Sequence, residues 1–262
     1  MLLDNCVAPQ LKGTAINKWK FALPVVLLTA AITLPATALP ASQELLDKML
    51  AAVAAMQSLE VDASFTNWDQ ANSSSGLLQA HFAMDTSAKD GKTIRREFLT
   101  AKITKTKRDG KVEVFQEHKI IDDGTFQWWE QRGLDTKGLL TVSKQIAKSF
   151  DWADQIARDT KEDWKLYGPK VVGEDLIHGQ KMYVLEGAAP QDGTEKKSMR
   201  LWVGQDDLFV HRRIATDQRE NEPEPNTDTR EFLNLKVNWK IDPALFTYTP
   251  PEGATVTDDT KH

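Results

Sequence analysis

Histidines, paired aspartates and one cysteine are the residues here with chemistry to offer, and their spacing gives none of them a working partner. His81, His118, His178, His211 and His262 stand in no H-E-x-x-H or other metal-binding spacing. No G-x-S-x-G elbow marks an activated serine, and no glycine-rich phosphate loop is present. His81, His118 and His211 fall inside segments that alternate like strands, which makes them residues of a sheet rather than of a triad. Asp122-Asp123 and Asp206-Asp207 pair carboxylates, but they adjoin glycine-containing or polar turns, and turn formation accounts for them without acid-base work. Cys6 precedes a long apolar run, so it is neither a nucleophile of the exported chain nor the acylated cysteine of a lipoprotein, which has to follow such a run. The expectation is a protein with no catalytic residues, no metal and no cofactor.

The segment that holds Cys6 is an address. Lys12, Lys18 and Lys20 precede the apolar stretch from Phe21 to Leu34, and Ala36-Thr37-Ala38 offers the small residues of a cleavage site. This predicts a signal peptide over residues 1–38, cut after Ala38, and a single periplasmic domain over 39–262. The alternative is an uncleaved anchor from Phe21 to Ala41, long enough to span but interrupted by Pro24, Pro35 and Pro40. The whole chain has a net charge of −5, and loss of the basic leader makes the remainder more acidic still. That balance excludes nucleic acid as a partner and argues against attachment to anionic lipid by charge. The basic run from Lys102 to Arg108 reads as the solvated face of a strand and turn, or as a docking patch for an acidic partner.

The elements follow from periodicity. Leu45, Leu46, Met49, Leu50, Val53 and Met56 recur at helical steps behind Ser42, a candidate N-cap. Val61, Ala63 and Phe65 then alternate with polar residues, and Leu78, Ala80, Phe82 and Met84 do the same, as in a sheet with one dry face. Further strands are predicted around 93–101, 112–121, 125–130, 171–175, 180–187, 198–204, 208–216 and 230–239, with turns at Asn72 to Gly76, Lys89 to Gly91 and Arg108 to Gly110. Between Thr141 and about Asp159, Ile146, Phe150, Ala153, Ile156 and Ala157 recur at helical spacing, which predicts a second helix. The fold class is α+β, mainly β: a strongly curved antiparallel sheet of about ten or eleven strands, a half-barrel with helices covering its concave face.

Asp242-Pro243-Ala244-Leu245-Phe246-Thr247-Tyr248-Thr249-Pro250-Pro251 reads as a capped turn, a core plug and a last strand that the prolines stop. This string resembles the C-terminus of the LolA family of periplasmic lipoprotein carriers. The likeness recurs from Gln57 to Asn67, from Ile121 to Trp129, and around Gly187 with the strands that follow it. Carriers of that family place an arginine directly before a proline, where it helps hold a helical lid; the region from Asp85 to Arg96 has no proline, so neither Arg95 nor Arg96 inherits that role. The resemblance implies a non-enzymatic protein that binds acylated lipoprotein or lipid and moves it between an inner-membrane donor and an outer-membrane acceptor. Strand parity nominates Phe65, Phe82, Met84, Trp128, Met182 and Trp202 as cavity lining, with Met49 and Val53 on a first lid helix and Ile146 and Phe150 on a second. Each serves equally as an ordinary core residue. The alternative function is a sensor of the same fold that acts on a membrane partner.

Overall fold

The computed structural model describes residues 39–260, apart from 70–73, 90–91, 107–109, 134–138, 148–151, 192–194, 221 and 223. The expected leader with Ala38, the second-helix residue Phe150 and the tips of three predicted turns lie outside the described residues. Helix α1 spans Ser42–Ala54 and α2 spans Trp152–Tyr167. The strands are β1 (Ser58–Asp69), β2 (Ser74–Lys89), β3 (Lys92–Thr106), β4 (Val112–Asp122), β5 (Phe126–Gly133) and β6 (Thr141–Ile146), then β7 (Lys170–Ile177), β8 (Gln180–Ala188), β9 (Glu195–Gly204), β10 (Val210–Arg219), β11 (Asn226–Val237) and β12 (Val256–Asp258).

All twelve strands form one open, curved sheet in the order β12-β6-β5-β4-β3-β2-β1-β11-β10-β9-β8-β7. Neighbours run antiparallel except β12, which joins β6 in parallel through Val256 to Asp258. The chain thus lays down two meanders, β1 to β6 and β7 to β11, and the β1–β11 pair stitches them together from Leu59↔Val237 to Trp68↔Thr227. Bulges at Glu60/Asp62, Ile103/Thr104, Val171/Gly173 and Val210/Arg212 shift the register, and each adds local twist to its strand.

Three sequence expectations need correction. The stretch predicted as one helix from Thr141 is strand β6 followed, after a link, by α2; Ile146 ends β6, largely exposed, and is not on a lid helix. Residues four apart, such as Val142 and Ile146, share a face in a strand as well as in a helix, so their spacing alone could not separate the two. Thr247 to Pro250 is not a strand; the last strand is β12, beyond the prolines. Ser42 is the first helical residue of α1, and the N-cap is Ala41, which has no side-chain cap bond. The Asp242 turn behaves as expected: its carboxylate accepts from Ala244 N–H at 2.9 Å, Pro243 opens the turn and Phe246 is buried.

The core is split by the sheet. On one face α1 and α2 pack, with Leu45 and Met49 against Leu185, Leu201 and Val203, and Val53 against Leu59, Val61 and Phe82. On the other face the C-terminal segment lies across the strands, burying Ile241 and Phe246 against Ala83 with Phe98 alongside. A second cluster on that face holds Met182, Val184 and Trp202.

Candidate functional site

A cavity of about 420 Å³ lies between the sheet and the two helices. Its floor comes from alternate residues of three adjacent strands: Val61, Ala63 and Phe65 of β1, Leu78, Ala80 and Phe82 of β2, Leu99 and Ala101 of β3. Period-two alternation puts these side chains on one face, and the alanines leave the room that larger residues would fill. Phe232 and Leu235 of β11 form one wall and Met49 and Val53 of α1 another. Trp152 and Ile156 of α2 close the roof, with the Trp152 ring edge-on to Phe82 at 4.7 Å between centroids. Arg230, Asp159 and Thr160 are the polar residues of the lining. A volume of this size falls within the range of small-molecule pockets, about 300–1,000 Å³. By contrast, a groove of about 510 Å³ elsewhere on the sheet is edged by the charged pairs Asp62–His81 and Lys102–Glu117 and offers little apolar cover.

Four of the nominated residues meet in this cavity: Phe65, Phe82, Met49 and Val53. Met84 is buried in the adjoining cluster without lining the cavity. Trp128, Met182 and Trp202 belong to the other face. Trp128 packs under Tyr248 at 5.2 Å, whose hydroxyl donates to Glu130 at 2.8 Å. Trp202 donates from its indole to Asp175 at 2.9 Å and lies between the guanidinium groups of Arg200 and Arg212. The parity of a strand fixes which residues share a face but not which face it is, and the bulges reset the phase between strands. Leu78 and Ala80 were legible as same-face neighbours of Phe82, and Ile156 as part of the second helix's apolar run; nothing local marked Phe232 or Trp152 as lining.

The helices are held in different ways. Leu45, Leu46, Met49 and Val53 of α1 are all buried, whereas Tyr167 is the buried residue of α2. Helix α2 packs partly buried residues such as Trp152, Ile156 and Trp164 on the core and adds polar ties. Arg213 of β10 grips Asp163 with two bonds, Nε to Oδ2 at 2.9 Å and Nη2 to Oδ1 at 3.0 Å, and reaches Asp228 of β11 at 3.2 Å. Burial works against the guanidinium charge, but the hydrogen bonds and charge of Asp163, with Asp228 behind it, outweigh that and hold its pKa above the ordinary value. Sequence reading missed this fork, because nothing local relates residues fifty positions apart. At the C-terminal end of α2, Gly187 lets the chain pass close over β8: a Cβ there would stand 2.6 Å from the Tyr167 carbonyl oxygen.

At the N-terminal end of α2 the Trp152 indole lies close to Glu97. Glu97 of β3 is buried directly opposite Asp122 of β4. Burial, with Asp122 adding repulsion, pushes the Glu97 carboxyl up to about 7, partly offset by the nearby Trp152 indole and by Arg95. Asp122 is also raised by burial, against its bond from Gly124 N–H at 2.7 Å. Among the described residues no group of three or more His, Cys, Asp or Glu is arranged to hold a metal ion.

The sequence has relatives. Residues 147–258 match the model of a family described as "Predicted periplasmic protein (DUF2092)". Over 148 residues, 55% of this chain, the sequence is 29% identical to an outer-membrane lipoprotein carrier protein of Klebsiella pneumoniae subsp. pneumoniae. The chain is thus similar in sequence to a lipoprotein carrier over part of its length. It spans 63% of the length of that carrier, and the match to the carrier of a second Klebsiella pneumoniae strain is 28% identical over the same share. Among solved structures, LprF from Mycobacterium bovis aligns at 13% identity and a TM-score of 0.42, covering 74% of this chain and 91% of its own. The MucA/MucB complex of Pseudomonas aeruginosa aligns at 16% identity and a TM-score of 0.42, covering 79% and 60%. The curated relatives are named as carriers rather than as enzymes.

Proposed function

We propose that the protein is a periplasmic carrier that takes one or more acyl chains of a lipoprotein or lipid into the cavity and gives them up again beneath α2. The observation that carries this reading is the apolar cavity roofed by a helix that is only partly buried and is held in part by a polar fork. Each methylene kept from water is worth roughly 0.8 kcal/mol, so a chain of about fifteen costs on the order of 10 kcal/mol to leave exposed. A carrier has to cover such a chain and still release it. A roof anchored by apolar burial alone would open only at the cost of the core, whereas the Arg213–Asp163 fork exchanges its bonds for water when it parts. Helix α1 serves as the fixed wall and α2 as the moving one, and their balance sets uptake against release. The similarity to lipoprotein carriers supports this direction, as does the periplasmic description of the matched family.

The test is native mass spectrometry of the processed protein purified without detergent, followed by titration with palmitate, alongside an Ala80→Phe variant. Ala80 lies on the cavity floor, so phenylalanine fills the space while leaving the surrounding apolar surface in place. Co-purified acyl species, or palmitate binding that Ala80→Phe removes, is the expected result. An empty protein that also fails to bind palmitate would mean a cavity without a cargo, and a sensor acting on a membrane partner would take its place.

A further inference from the structure

The wall of the cavity does not stop where the helices stop. Residues directly opposite one another in an antiparallel pair share a face, so the register carries the floor outward strand by strand. Phe82 stands opposite Leu99, Leu99 opposite Ile120, and Ile120 opposite Trp129. On one side of this row Ala101 is followed by His118 and Gln131; on the other Glu97 is followed by Asp122, Gln127 and Gln145. The inner members lie under α2. The outer ones form an open shelf, where Ile120 is half-buried and Trp129 is 37% exposed.

The shelf is built rather than merely bare. The Trp129 indole N–H donates to Gln127 Oε1 at 2.8 Å, and Gln145 Nε2 donates to the same oxygen at 2.6 Å. The amides hold the ring by its edge. Nearby, His118 Nδ1 is buried with no hydrogen-bond partner among the described residues. On β5 and β6 the residues sharing this face are Gln127, Trp129 and Gln131, with Thr141, Ser143 and Gln145 opposite them: amides and hydroxyls around one indole, with no lysine or arginine. The cations of these strands, such as Lys144 against Phe126 and Trp128, point to the other face.

We propose that this shelf is the subsite for an uncharged, hydroxyl-rich headgroup, a sugar, on a lipid whose acyl chain enters the cavity. The inference rests on the acyl-binding reading and names the ligand class more narrowly. A sugar ring has an apolar C–H face that suits an indole platform, and its neighbouring hydroxyls suit side-chain amides that donate and accept side by side. A phosphate headgroup would call for guanidinium or ammonium donors, which β5 and β6 do not present around the indole.

The experiment is calorimetric titration with three twelve-carbon amphiphiles, each below its micellar concentration: dodecyl maltoside, dodecyl phosphocholine and dodecanoate. Wild type is compared with Trp129→Ala and Gln127→Ala, both partly exposed positions whose loss spares the core. Wild type should bind the maltoside about fivefold more tightly than the other two, an effect equivalent to about 1 kcal/mol of ring contact. Trp129→Ala should erase that preference, and Gln127→Ala should weaken it, with phosphocholine and dodecanoate binding as before. Equal binding of all three by wild type, or a preference that survives Trp129→Ala, overturns the headgroup subsite and leaves the cavity reading standing. If none of the three binds, both fall.

Discussion

Helices α1 and α2 cover the same face of the sheet, but they are attached by different forces. Helix α1 lacks a side-chain cap and sinks four residues into the core, so its place is set by burial. Helix α2 turns partly buried side chains to the cavity and is tied toward its C-terminal end by Asp163–Arg213 and the close Gly187 passage. Apolar burial has no direction and no exchange partner in water, whereas polar bonds trade with solvent at little net cost. Placing the cavity between the two gives it one permanent wall and one negotiable wall.

That contrast can be broken by mutation. Leu45→Ala in α1 should lower unfolding free energy by about 2–5 kcal/mol in urea titration, whereas Ile156→Ala in α2, at a half-buried site beside an existing cavity, should cost clearly less. Equal costs would mean that α2 is as much core as α1. Next in size, Arg213→Ala should remove about 2–3 kcal/mol, less than a fully buried pair would, because Asp163 keeps partial access to water. Hydrogen exchange should rise in α2 and stay unchanged in α1; matched increases in both would defeat the idea of a separable roof.

A smaller effect concerns pH. The folded-state value of Glu97, about 7, lies above its ordinary 4.5, so its contribution is complete below the ordinary value and is lost as pH rises through about 7. Wild type should therefore lose up to about 2 kcal/mol between pH 5 and pH 8 relative to Glu97→Gln, which keeps the side chain's shape and polarity without the charge. Thermal unfolding curves that run parallel across that range would count against it. Least of all, Ser42→Ala should change stability by less than about 0.5 kcal/mol, since no cap bond exists there to lose; a larger loss would show that capping, not burial, places α1.

The strands that could be read from the sequence were those whose neighbours lie nearby in the chain. Strands β1 and β2 alternate cleanly and pair with each other, so Phe65, Phe82 and their shared face were legible. The same reasoning put Trp128, Met182 and Trp202 on the wrong side, because which face is roofed depends on helices contributed by distant segments. Strand β6 is hidden within a helical reading because Ile146 and Phe150 stand four apart, a spacing that satisfies both periods. The Arg213–Asp163 fork joins a strand to a helix that precedes it by three intervening strands, and no pattern in either segment points to the other.

The stitching of the two meanders at β1 and β11 also governs when the molecule can form. Leu59 finds Val237 only when nearly the whole chain is available, and contacts between such distant positions slow folding because the loop between them has to be ordered first. Strands β1 to β6 can assemble early, but β1 remains an unpaired edge until β11 arrives. A chain wired in this way stays open longest at its centre, and so remains threadable until its last quarter has been delivered.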